Sequence, residues 1–152
     1  MVGASARRDG WLNGASVPMS QVKIIAALET ALSAMTPALA TSLNNVAYVP
    51  PAVSVAYQQA WILFARPENR EYGPNYRELG YMQIDLKYPL QMGDGAARAR
   101  GQLIRETFYN GATFSNDGVD VTVSGTPEVG AGAVDGSRWI VIVKIPFFAN
   151  IN

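Results

Sequence analysis

The chain has 152 residues, 49% of them hydrophobic, which suffices for one domain with a genuine core and not for two. Twelve basic and twelve acidic residues cancel, so no net field gathers nucleic acid or anionic membrane nonspecifically. Cysteine and histidine are both absent, which removes disulfides, thiolate catalysis, Ser-His-Asp triads and nearly all metal sites built on imidazole or thiolate.

In chain order, the first eighteen residues, MVGASARRDGWLNGASVP, lack hydrophobic periodicity. Arg7 and Arg8 are followed by Asp9 and Gly10 rather than by an apolar run, so a signal peptide is not expected. The segment reads as a flexible N-terminal arm with Trp11 and Leu12 as anchors, preceding a single domain over residues 19–152. A first helix is expected from an N-cap at Ser20, with Ile25, Leu28, Leu32 and Met35 on its apolar stripe and Lys23, Thr30 and Ser33 pointing away. Pro37 closes it. Residues 38–45 read as an irregular link, Val46–Val49 as a brief strand before Pro50 and Pro51, and Val55–Arg66 as a strand apolar on both faces.

The stretch Arg66–Gly80 is dense in charge, Pro, Gly and Asn and much longer than a hairpin turn requires. It is a candidate projecting arm, with Tyr72 and Tyr76 as interface anchors, the alternative being a solvated mobile loop. From Tyr81 the pattern is clearest. Met82, Ile84, Leu86 and Tyr88 alternate with Gln83, Asp85 and Lys87, and Pro89 ends the strand. Gly93-Asp94-Gly95 then opens a helix whose Ala97, Gly101, Ile104 and Phe108 share a narrow arc, with Asp94 as expected N-cap. Thr113–Ser115 and Val119–Val123 form a hairpin about Asn116-Asp117-Gly118, Gly125–Ser137 reads as a flexible stretch, and Arg138–Phe148 is a second strand apolar on both faces. These elements predict an α+β domain: a mostly antiparallel sheet with two helices packed on it, a long inter-strand loop and an N-terminal arm.

Chemistry finds little support in this sequence. The Gly93-Asp94-Gly95 junction invites comparison with a dinucleotide fingerprint, but Arg98 stands at the last glycine position, Pro89–Met92 separates strand from glycines, and no βαβ repeat surrounds it. The carboxylates of Asp85, Glu106, Asp117 and Asp120 show no metal-loop spacing, and Asp117 and Asp120 flank a turn where Asp serves the backbone. No catalytic, cofactor-binding or metal-binding residue is therefore assigned. Arg98 and Arg105 lie on one side of the second helix and Arg100 on the other flank; a neighbouring subunit's carboxylates, a nucleic-acid backbone or a solvated helix face are the three readings for them.

In order, SQVKIIAALETALSAM, NNVAYVPP, GYMQIDL, GDGAARARGQLIRETF, VDVTVSGTPEV and WIVIVKIPF resemble the corresponding segments of phage tail terminator (tail completion) proteins, from about Met19 to Phe148. The resemblance implies a structural, non-enzymatic virion protein without cofactor, assembled in the host cytoplasm and located at the head–tail junction. It further implies self-association as a ring, typically of six, that ends polymerisation of the tail tube. Its partners would be the tail tube protein and a head-completion or connector protein, with genomic DNA passing through the lumen without specific binding and no membrane involved. Interface roles for Trp11, Tyr72, Tyr76, Arg98 and Arg105 follow as expectations. The alternatives are another head–tail junction component, whether head-completion protein or tube subunit, and a small-molecule module built on Asp85, Glu106 or the glycine turn.

Overall fold

A computed structural model describes residues 20–152. The elements are α1 (Ser20–Ser33), β1 (Thr41–Ser42), β2 (Tyr57–Phe64), β3 (Tyr76–Pro89), α2 (Gly95–Thr107), β4 (Thr113–Asn116), β5 (Val119–Val123), β6 (Glu128–Val129), β7 (Ala133–Asp135) and β8 (Arg138–Ile151). They form an α+β fold with the sheet order β1-β2-β3-β8-β5-β4; β6 and β7 also pair with β8. Every pairing is antiparallel except the two-residue β1–β2 contact.

The centre of the sheet is the β3–β8 pair, which runs from Tyr76 opposite Ile151 to Pro89 opposite Arg138. Because side chains alternate along a strand, this register stacks Ala60, Ile84 and Val143 in one row and Ile62, Met82 and Ile145 in the next, all facing the helices. Met82, Ile84, Leu86, Val143 and Ile145 are fully buried there, each contributing about 1.5–3 kcal/mol relative to exposure. From the α2 arc, Ala97, Gly101 and Ile104 are buried within the helix and Phe108 just beyond it, as the spacing predicts. Gly80 sits between Phe64 and Phe147, and a Cβ there would lie 2.1 Å from Leu63 O, so only glycine lets β2 and β3 close at this row.

Several local expectations are corrected. The buried stripe of α1 is Lys23, Ile24, Ala27, Leu28 and Leu32, so Ile24 rather than Ile25 enters the core. Lys23 turns inward because Asp117 meets it: its Nζ lies 2.9 Å from Asp117 Oδ2 and also donates to Asp117 O. Ser20 is already within the helix, and its hydroxyl shares a hydrogen bond of 2.9 Å with Tyr76. Val46–Val49 is not a strand; the short strand lies earlier, at Thr41–Ser42. The arm expected over Arg66–Gly80 is mostly a continuing hairpin, since Glu68 bridges Arg77 and β3 begins at Tyr76, which leaves residues 69–75 as its tip. Gly125–Ser137 is not simply flexible, for β6 and β7 lie within it on the edge of β8. The β4–β5 turn is the two-residue Asp117-Gly118, both with positive φ, the conformation a tight hairpin favours.

Candidate functional site

The candidate carboxylates do not converge. Asp85 lies in mid-β3, Glu106 on exposed α2 surface, and Asp117 and Asp120 on the β4–β5 hairpin, where Lys23 and Ser115 respectively engage them. Asp85 faces away from the helices yet is 5% exposed; burial raises its pKa, opposed by a hydrogen bond from Gln83 Nε2 and by Lys87. Among the described residues no group of three or more Asp, Glu, Cys or His could hold a metal ion. No described helix is long and apolar enough to cross a membrane.

At the glycine turn the chain's own side chains engage Asp94. Asp94 precedes α2 but makes no side-chain cap; its carboxylate accepts from Arg98 Nε and Trp139 Nε1, both at 2.7 Å. The hydrogen bond from Arg98, reinforced by that from Trp139, lowers the Asp94 pKa. A carboxylate held ionised at a helix start repels the anion that a phosphate cradle would have to attract.

The arginines of α2 serve the fold in different ways. Arg98 donates to Gly130 O at 2.7 Å and Arg105 to Pro127 O at 2.8 Å. Between them Gly101 brings Val129 close, since a Cβ would lie 3.2 Å from its Cγ1. Positions i, i+3 and i+7 of α2 thus form one seam that fastens the β6 segment. Arg100 is buried, with one guanidinium nitrogen bonded to Pro37 O, and burial lowers its pKa. Of the tyrosines, Tyr76 is half-buried against α1 through Ser20, whereas Tyr72 stands fully exposed at the β2–β3 hairpin tip. Trp11 lies outside the described residues.

Sequence reasoning missed the surface at the other end of β2. The loop between β1 and β2 displays Val46, Val49, Val53 and Val55, with Val49 88% exposed. Arg138, itself buried at the start of β8, holds this loop by donating to Pro51 O (2.7 Å), Ala52 O (3.0 Å) and Val55 O (2.7 Å). Its guanidinium also lies 4.6 Å from the centre of the Tyr57 ring, which stacks on Tyr48. The signal for this loop was present as an absence: no charged residue occurs from Thr30 to Ala65. The β2–β3 ribbon therefore carries a charged tip with Tyr72 at one end and an uncharged, pinned valine loop at the other.

An α+β domain in which Asp94, Arg98, Arg100 and Arg105 bond within the fold, and whose exposed features include a hairpin tip and an apolar loop, has the character of an assembly module. The chain belongs to the phage tail terminator family: the family profile, described as phage tail terminator protein, matches residues 23–147. That family is structural and non-enzymatic, and its members are components of the phage tail. One solved structure shares the fold, with a TM-score of 0.69 and 24% identity over 86% of this chain and 96% of its own. No curated protein sequence matches the chain.

Proposed function

We propose that this chain assembles as a ring of six on the head-proximal end of the tail tube, stops tube growth there, and offers its outer rim to a head-completion or connector protein. The observation that carries the reading is the family match across residues 23–147. The construction of the domain supports it. Two differently built ends suit a part that must meet one partner on each side, and Tyr72 at the hairpin tip is the exposed aromatic anchor of one of them. The balanced charge suits a lumen through which DNA passes, because each added Lys or Arg contact to phosphate would slow it.

Electron microscopy of the purified protein, alone and added to preformed tail tubes, tests the proposal. The expected result is discrete rings that cap one tube end without polymerising. Long tubes formed by the protein alone would make it a tube subunit, and rings that bind only the head connector would make it a head-completion protein.

A further inference from the structure

The sheet ends at β2 on one side, and most of that edge is open. β1 covers only Gln58 and Gln59. Gln58 N–H donates outward to Ala40 O, while Ala65 N–H donates inward to Leu79 O. Backbone groups alternate in direction along a strand, so the amides of Ile62 and Phe64 point outward, and among the described residues they have no ladder partner. A groove of about 610 Å³ runs along this edge, lined by Asn44, Trp61, Ile62, Leu63, Phe64 and Gln83. Leu63 is 41% exposed in it.

Natural edge strands are normally protected by lysine, proline or a bulge, because a bare edge pairs with any strand it meets. β2 has none of these: YQQAWILF carries no charge and no proline, and it lies inside the uncharged run. At the other end of the sheet, β4 (TFSN) is likewise uncharged and pairs only with β5. Two dissimilar edges on opposite sides of one chain make a head-to-tail contact, and repeated head-to-tail contacts that close give a ring.

We infer that the open edge of β2 is the subunit–subunit contact, and that its occupant is a second copy of this chain, whose β4 edge adds to Ile62–Phe64 as the next strand. The inference rests on the ring reading above and assigns that ring its joint. Backbone hydrogen bonds supply the pairing, and the groove beside Trp61 and Leu63 gives room for the side chains of the added strand, while Phe114 of β4 stays packed on Phe108 in its own core.

Native mass spectrometry of the full chain, wild type and Leu63→Lys, tests this, with Val22→Lys on the exposed side of α1 as control. We expect rings from wild type and control, and folded monomer from Leu63→Lys, whose charge protects the edge without entering the core. Rings from Leu63→Lys would overturn the β2 joint and leave the ring reading standing. Wild-type protein that stays monomeric at high concentration would instead overturn the ring reading. Hydrogen exchange on the wild type gives a readout that no variant can spoil by misfolding. The Ile62 and Phe64 amides should exchange at least about tenfold more slowly in the ring than in dilute monomer. Equal rates in the two states, or protection that appears only on adding tube or connector protein, would overturn a second copy as the occupant.

Discussion

Phe64 and Phe147 meet edge to face across β3, their ring centres 5.9 Å apart, with Gly80 of the intervening strand beneath them. The aromatic pair fills the space that glycine leaves, so the row is packed by neighbours on both sides rather than by its own middle residue. Gly80→Ala should therefore cost about 1–3 kcal/mol, since the new methyl must push Leu63 O aside. Phe147→Ala should cost about 3–5 kcal/mol by leaving a cavity. Chemical denaturation of the two variants checks both values.

Arg138→Lys should be far from conservative. An ammonium is a single compact charge and does not reach the carbonyls of Pro51, Ala52 and Val55 while lying flat over Tyr57. A loss of about 1–3 kcal/mol is expected. Val55 N–H, now bonded to Ala52 O, should exchange faster as the loop loosens, while exchange in β3 stays slow. Amide exchange by NMR distinguishes this local loosening from global unfolding.

Asp85 gives a pH dependence of defined sign. Its folded pKa is raised above the ordinary value of 3.8, chiefly by burial, so between the ordinary and the raised value the native state holds a proton that the unfolded chain has released. Stability contributed at this position is present below the unfolded pKa and is lost as pH rises through the folded one. Asp85→Asn retains the acceptor for Gln83 and removes the buried charge, so it should raise Tm at pH 7 and leave Tm unchanged at pH 3. Calorimetry at the two pH values decides the point.

The hairpin tip should be separable from the fold. Tyr72→Ala should change stability by less than about 0.5 kcal/mol, because the side chain is fully exposed. Replacing residues 70–75 by a short turn, with the Glu68–Arg77 bridge kept, should leave the thermal melt intact and abolish capping of tail tubes. Retained capping would place the tube contact elsewhere on the domain.

How far the sequence could be read depended on the range of the interactions. β3 was legible because Met82, Ile84 and Leu86 face a core while Gln83, Asp85 and Lys87 face away, and α2 because Ala97, Gly101, Ile104 and Phe108 all pack on one side. β1, β6 and β7 were not, since two or three residues carry no period and are held in place by the ladders of β2 and β8. Lys23 was read as outward because nothing nearby in sequence requires it inward; its partner, Asp117, is supplied by the distant β4–β5 turn. Asp94 looked like a helix cap for the same reason, and Trp139 with Arg98 claimed its oxygens instead. The candidate surfaces divide similarly. The exposure of Tyr72 was legible from the charged, Pro- and Gly-rich stretch around it, whereas Arg98 and Arg105 gained backbone partners at Gly130 and Pro127 that no spacing rule foretells.

The grip of Arg138 on the valine loop separates shape from address. Its contacts fall on main-chain carbonyls, which every residue type possesses, so the outward side chains at Val49 and Val53 are free to change while the loop's course stays put. Substitution at these positions can thus change the face the loop presents without moving the loop itself, much as a key is recut without altering its bow.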